Sequence, residues 1–147
     1  MNSGFNFRLQ RVLDYREHLK KQKAGELTEY ISHLEQEKNA LSCLADTKNS
    51  LVDDMDSKCN EGIQVGYLVQ CNKYIDQLNR FIDKQRENVS DIEKRVEECR
   101  ENVVEASRNK EVIERLKARH YGRFSYHLSM EQEKEVEDLV NNRNISL

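Results

Sequence analysis

The clearest pattern in the sequence lies in residues 71–113, which read CNKYIDQLNRFIDKQRENVSDIEKRVEECRENVVEASRNKEVI. Positions at alternating steps of four and three are apolar almost throughout: Cys71, Ile75, Leu78, Ile82, Gln85, Val89, Ile92, Val96, Cys99, Val103, Ala106, Lys110 and Ile113. Only Gln85 and Lys110 interrupt this ladder. A mean spacing of about 3.5 residues is typical of a coiled-coil seam. The pattern therefore predicts a long α-helix that packs against another helix.

A weaker ladder precedes it and runs through Leu9, Leu13, Leu27, Tyr30, Leu34, Leu41, Leu44, Leu51 and Met55. The same spacing also falls on charged residues, namely Arg16, Lys20, Lys23, Glu37 and Lys48. Between the ladders, Gly62 and Gly66 lie in a segment that interrupts both. We expect Gly62 to end the first helix in a left-handed cap and Gly66 to allow the chain to reverse. Such a short connection makes the two helices antiparallel.

The sequence therefore predicts an all-α fold, a long antiparallel two-helix coiled-coil hairpin with a short acidic C-terminal extension. We expect one coiled-coil domain over residues 1–147, with helix 1 at about 5–60, a turn at about 60–66 and helix 2 at about 67–120, or on to about 140. The heptads lapse at residues 121–126, where a weaker break is expected. Residues 131–140 are acidic and helix-prone, and residues 141–147 are expected to form a frayed tail.

The composition argues against an enzyme. Of 147 residues, 35% are charged and only 37% are hydrophobic, with no proline or tryptophan, so a sizeable globular core is not expected. No phosphate-binding glycine motif, metal-ligand spacing or catalytic triad is visible, and a two-helix hairpin has no cleft. We expect no catalytic residue, no cofactor and no metal. Without a signal peptide or an apolar span, and with four scattered cysteines, a reduced cytoplasmic protein is expected.

Two basic segments exceed what a hairpin needs. Residues 8–23 and residues 108–123 each carry a net charge of +4, counted from six basic and two acidic residues. In an antiparallel hairpin the two segments lie side by side at the open end. Basic residues at a helix N-terminus oppose the helix dipole, which suggests an anionic partner. An acidic protein surface is favoured over nucleic acid or lipid head groups, because the net charge of the whole chain is -3. The residues selected for this contact are Arg8, Arg11, Arg16, Lys20, Arg115, Arg119 and Arg123.

Near the turn, the apolar stripe is wider than a two-helix seam requires. Tyr67, Tyr74 and Phe81 recur every seven residues, one position ahead of ladder residues. On the first helix, Ala45 and Val52 similarly flank the ladder. We expect part of Tyr74, Phe81, Leu51 and Val52 to stay exposed, and an exposed apolar patch usually marks a protein contact. The alternatives are a wider core and a self-paired four-helix dimer. The residues selected for this contact are Leu44, Leu51, Tyr74, Leu78, Phe81 and Gln85.

Four parts of the chain resemble the flagellar FliJ family. They are residues 5–17 (FNFRLQRVLDYRE), Gly62-Ile63 at the turn, residues 74–85 (YIDQLNRFIDKQ) and residues 131–138 (EQEKEVED). Their joint order spans nearly the whole chain. Two departures are Gly25, which interrupts the first helix, and Thr47, which stands where an aromatic side chain would strengthen docking.

The resemblance implies a non-enzymatic component of the bacterial flagellar type III export apparatus, needed for flagellum biogenesis. Members of the family are coiled-coil stalks that bind and stimulate the hexameric, FliI-type export ATPase. They also contact the cytoplasmic domain of the FlhA-type export gate and escort export chaperones. The implied location is cytoplasmic, peripheral at the cytoplasmic face of the cell membrane at the flagellar base, without membrane insertion. On this reading the basic end would meet the ATPase ring and the apolar patch would meet the gate.

Two other functions remain open from the residues. A stand-alone holdase chaperone, or a self-assembling structural coiled coil, would use the same exposed stripe for clients or for copies of itself. Nucleic-acid binding by the basic end ranks third, since that end lacks interleaved aromatic residues.

Overall fold

The computed structural model describes residues 4–145, which form two α-helices. Helix α1 spans Gln10–Glu61 and helix α2 spans Val65–Ile145. The described residues contain no β-strand, and the two helices contact each other. The predicted all-α, two-helix hairpin is confirmed.

The chain divides into two compact units. Unit 1 comprises Met1–Gln22 and Val104–Leu147, and unit 2 comprises Lys23–Val103. Within unit 2, Lys38 pairs with Glu93 and Lys58 bonds to Tyr67, so later residues of α1 meet earlier residues of α2. Within unit 1, Glu17 meets Lys110 and Phe7 meets His120 in the same antiparallel order. That residues 1–147 form one coiled-coil domain stays a prediction.

The ladder of residues 71–113 forms the packed face of α2. Seven of its members are buried, namely Cys71, Leu78, Ile82, Val89, Val96, Cys99 and Ala106, and the other six are half-buried. From α1, Leu13 and Met55 are buried and most other ladder positions are half-buried. Complete burial of an aliphatic side chain of this size contributes about 1.5–3 kcal/mol. This stripe is therefore the main source of stability.

Polar residues that interrupt the ladders find partners across the seam. Gln85 of α2 donates from Nε2 to the backbone oxygen of Glu37 at 3.0 Å, and also to a carboxylate oxygen of Glu37. The interruption in one ladder thus lies opposite an interruption in the other. Lys110 of α2 meets Glu17 of α1 at 3.9 Å and, within α2, Glu114 at 3.3 Å. These contacts offset the cost of removing polar groups from water.

The turn is shorter than expected. Gly62 has φ +95°, so the predicted left-handed cap directly after α1 is confirmed. The prediction for Gly66 is wrong, because α2 already begins at Val65 and Gly66 lies in its first turn. The amide of Leu68 donates to the backbone oxygen of Gln64 at 3.2 Å, which starts α2. Residues 62–64 alone therefore reverse the chain.

The helix ends also differ from the predictions. Helix α1 begins at Gln10 rather than near residue 5, because residues 5–7 form a non-helical segment that packs on α2. Helix α2 passes through residues 121–126 without a break and continues to Ile145. Exposed Gly122 lowers the stability of the helix by about 1 kcal/mol relative to alanine, and good helix formers nearby can offset this loss. The predicted frayed tail is wrong for residues 141–145, and residues 146–147 lie outside the described part.

The last part of α2 lies outside the seam. From Ser125 to Ile145 every residue is exposed, whereas Phe124 is still half-buried. This helical segment, termed the C-terminal extension, contains the acidic residues predicted for the C-terminal region. Its apolar side chains face solvent.

Candidate functional site

An aromatic cluster in unit 1 attaches the start of the chain to α2. Phe7 is only 5% exposed, and its ring meets the His120 ring edge-on at 5.7 Å between centroids. Phe5 lies 5.3 Å from the Tyr121 ring and 5.5 Å from the Phe124 ring. This cluster, termed the N-terminal clamp, was not predicted. The sequence does contain two aromatic residues in each of the segments that meet, Phe5 and Phe7 in one and Tyr121 and Phe124 in the other.

The clamp brings two sets of arginines into the same unit. Arg8 and Arg11 follow Phe7, and both are exposed. On α2, Arg115, Arg119 and Arg123 are also exposed, and their spacing of four residues aligns them along one helix face. These five residues, termed the basic surface, are the exposed members of the predicted basic set. The predicted meeting of the two basic segments therefore occurs within unit 1.

Two residues of the predicted basic set lie elsewhere. Arg16 and Lys20 occupy ladder positions of α1 and are half-buried, so they offer less surface to a partner than the five exposed arginines. Conversely, Arg108 is exposed and stands seven residues before Arg115, which places it on the same face of α2. Arg108 contributes to the net charge of residues 108–123 but is not among the residues predicted for the contact. The seven-residue spacing between Arg108 and Arg115 could have predicted this position from the sequence.

The basic surface keeps most of its charge uncompensated. Arg115 donates to Glu111 at 2.7 Å, but among residues 4–145 no ion pair holds the other four arginines. Helix α1 has no acidic residue in its first turn, so nothing there offsets Arg11 beside the positive end of the helix dipole. Asp14, one turn later, accepts a hydrogen bond from Gln10 at 2.9 Å. Such a surface attracts anionic partners.

A second surface lies on α2 in unit 2. Tyr74 is 46% exposed and Phe81 is 50% exposed, as predicted from their positions beside the ladder. Seven residues apart, they share one helix face and are termed the aromatic pair. Leu51 and Val52 of α1 are half-buried, so they too keep part of their surface in solvent. Large exposed aromatic side chains are typical of protein contacts.

The other residues predicted beside the aromatic pair belong to the seam. Leu78 is only 3% exposed, so it has no surface for a partner and its selection as a contact residue is wrong. It was misplaced because a ladder position and a surface position can both be apolar. Gln85 is half-buried and engaged with Glu37, and Leu44 is half-buried. Within the predicted apolar site, the aromatic pair is the exposed part.

An open groove of about 690 Å³ lies between the helices of unit 2. Its apolar lining comes from Leu41, Ala45 and Ile82, and its polar lining from Lys38, Ser42, Lys48, Asn49, Asn79, Asp83 and Arg86. The aromatic pair does not line it. We term this cavity the seam groove. Ala45, which the sequence placed beside the ladder, is one of its lining residues.

At the turn, the Lys58 ammonium donates to the Tyr67 hydroxyl at 2.8 Å. This hydrogen bond, together with the electrostatic attraction of Tyr67, raises the pKa of Lys58 above its ordinary value of 10.5. Lys58 therefore stays positively charged throughout the neutral range. It also lies in the last turn of α1, where a cation is favoured by the helix dipole.

Residues 4–145 contain neither a metal-binding cluster nor a membrane-spanning helix. No group of three or more His, Cys, Asp or Glu side chains there could hold a metal ion. Neither helix, over the same residues, has a segment with the length and apolar character that a membrane crossing requires. All four cysteines are free, with Cys71 and Cys99 buried in the seam as small apolar side chains.

One comparison with known proteins gave a match. The family model described as "Flagellar FliJ protein" matches residues 5–144, which is nearly the whole chain. No curated protein and no solved structure matches the chain. The matched region includes the N-terminal clamp, the basic surface and the aromatic pair.

Proposed function

The chain belongs to the flagellar FliJ family, and from that premise we propose that it is the coiled-coil stalk of the hexameric export ATPase. Membership of this family supports the assignment of the chain as a component of the flagellar protein-export apparatus. The basic surface binds the ATPase ring and stimulates ATP hydrolysis. The aromatic pair binds the cytoplasmic domain of the export gate. The protein also escorts export chaperones. It acts at the cytoplasmic face of the cell membrane, at the flagellar base.

The observation that carries the ATPase assignment is the basic surface. Its five exposed arginines come from the start of the chain and from residues 115–123 of α2, and all five belong to unit 1. Charges of one sign on a surface speed association with a partner of opposite sign and fix its orientation. An acidic ring pore is a partner of this kind.

The mechanism is allosteric. A stalk inside a ring of identical subunits makes different contacts with each subunit, because α1 and α2 present different side chains. If the stalk binds one conformation of an ATPase subunit more tightly than another, it shifts the affinity of that subunit's site for ATP. The stalk supplies no catalytic group and changes which ATPase sites bind or hydrolyse.

The first test is ATP hydrolysis by the cognate export ATPase, titrated with this protein at low and high salt. We expect stimulation that saturates at a low ratio of chain to ring and weakens as salt rises. The double variant Arg119→Glu with Arg123→Glu should raise the concentration needed for half-maximal stimulation at least about tenfold. Both side chains are exposed and free of ion pairs within the described residues.

The matched control reverses two exposed arginines of unit 2, Arg80→Glu with Arg100→Glu. It changes the net charge equally and should leave stimulation near the wild-type level. Equal losses in the two double variants would show that net charge, and not the basic surface, matters. Absence of both binding and stimulation would overturn the stalk proposal.

The gate assignment is tested on the aromatic pair. Tyr74→Ala with Phe81→Ala should weaken binding to the gate's cytoplasmic domain at least about tenfold, since buried aromatic anchors dominate such interfaces. Stimulation of the ATPase should be unchanged. Loss of stimulation with gate binding intact would reverse the assignment of the two surfaces.

Leu78→Ala is the comparison variant for the gate test. Because Leu78 is buried, its truncation should lower the free energy of unfolding by about 2–4 kcal/mol. Any effect on gate binding should then follow loss of helicity, measured by circular dichroism. The aromatic-pair variant should lose gate binding with helicity retained.

A further inference from the structure

Two features of the molecule have no role in the function proposed above. One is the C-terminal extension in unit 1, where α2 continues from Ser125 to Ile145 with every residue exposed. The other is the seam groove of unit 2. Each has a distinct charge and an apolar component, and the two are complementary.

The C-terminal extension is acidic with a local apolar cluster. In residues 131–138, five carboxylates stand against Lys134, a net charge of -4. Within residues 131–140, Val136, Leu139 and Val140 are each more than half exposed. Val136 and Val140 are neighbours on the helix surface, as are Glu133 and Glu137. The segment therefore offers an apolar strip bordered by carboxylates.

The seam groove offers the opposite pattern. Three cations, Lys38, Lys48 and Arg86, stand against Asp83, a net charge of +2. The apolar surface between them comes mainly from Leu41 and Ala45, which are half-buried, because Ile82 is only 5% exposed. Lys48 has no ion pair among the described residues, and the pairs of Lys38 with Glu93 and of Arg86 with Asp83 are exposed contacts of 3.9 Å and 3.8 Å. Exposed pairs of this kind are worth little and are exchanged readily.

We infer that the seam groove of one copy binds the C-terminal extension of a second copy of this chain. An amphipathic helix laid in an apolar groove is a common recognition mode, and here the borders of helix and groove have opposite charge. Pairing of two extensions with each other would instead bring together two segments of net charge -4, which is unfavourable. The contact joins unlike surfaces, so it is heterologous.

The test measures molar mass by sedimentation equilibrium on the full chain over a range of concentrations. We expect the mean mass to rise above 17.4 kDa with concentration, and association to weaken at least about tenfold between about 0.05 M and 0.5 M salt. Glu133→Lys with Glu137→Lys should weaken association by at least about tenfold, as should Lys38→Glu with Arg86→Glu. The control Glu97→Lys with Glu101→Lys, two exposed carboxylates at the same spacing in unit 2, should not.

Mixing the two impaired variants gives the sharpest result. Each retains the surface that the other lacks, so the mixture should form heterodimers at concentrations at which each variant alone is monomeric. A mass of 17.4 kDa at every concentration would overturn the inference. So would association that survives in both variants, or a mixture that stays monomeric. Circular dichroism of each variant checks that the helices are intact.

Discussion

At the scale of single residues, Phe7 shows how a side chain outside both helices contributes to the fold. It precedes α1, yet it is buried against His120 of α2. A ring in this position covers apolar surface at the end of the seam and holds the backbone of Arg8 beside α2. The N-terminal clamp therefore links packing to the position of the basic surface.

We predict that Phe7→Ala lowers the free energy of unfolding by about 3 kcal/mol, the low end for a buried phenylalanine, because a terminal segment can detach locally. Urea denaturation followed by circular dichroism measures the loss. Phe81→Ala is the control, since that ring is half exposed and should cost less than about 1 kcal/mol. Equal losses would contradict the buried position of Phe7.

Lys58 and Tyr67 provide a prediction in pH. The folded-state pKa of Lys58 is raised, so the charged lysine stabilises the fold below pH 10.5, and this contribution is lost as pH rises through the folded-state pKa. Tyr67→Phe removes the acceptor hydroxyl and should lower the pKa of Lys58 towards 10.5. Carbon-13 NMR titration of the lysine side chains measures it. Tyr74→Phe, which removes a hydroxyl distant from Lys58 along α2, should leave that pKa unchanged.

At the scale of the elements, the two glycines near the turn have opposite roles. Gly62 adopts φ +95°, a conformation that costs other residues about 1–2 kcal/mol. Gly66 is helical, and a Cβ atom there would meet no heavy atom within 4 Å apart from its chain neighbours and the surrounding helix backbone. A helical glycine without close neighbours lowers stability relative to alanine. The same residue type therefore serves the turn at one position and weakens α2 at the other.

We predict that Gly62→Ala destabilises the protein by about 1 kcal/mol and that Gly66→Ala stabilises it by up to about 1 kcal/mol. Urea denaturation of both variants against the wild type gives the two signs. The pair controls itself, because each variant adds one methyl group. Changes of the same sign would show that the turn does not require the left-handed conformation.

At the scale of the whole molecule, burial is concentrated in the ladder and is absent from the C-terminal extension. Helical segments whose side chains bury little surface need only a small free energy to open their backbone hydrogen bonds. Segments packed in the seam open only when a larger part of the protein unfolds. In dilute solution, backbone amides of residues 125–145 should therefore exchange with solvent much faster than those of residues 71–106. Hydrogen-exchange mass spectrometry tests this. Equal protection would show that the C-terminal extension is covered in the monomer.

The sequence by itself determined the helical fold and the face of each helix that packs. The ladder positions of α2 are all buried or half-buried, and even charged ladder positions such as Arg16 and Glu37 are half-buried. Heptad spacing has this power because side-chain direction repeats with the helical period. The left-handed cap at Gly62 and the exposure of Tyr74 were likewise predictable, since each depends on residue type and local position.

Only the tertiary structure decided which distant residues meet. The pairing of Gln85 with Glu37, the N-terminal clamp and the seam groove all depend on the register of α1 against α2. The continuation of α2 through residues 121–126 also went against the local pattern. Periodicity defines a face of a helix but not its partner, because many registers bury the same apolar stripe. Docking of side chains across the seam selects one of them.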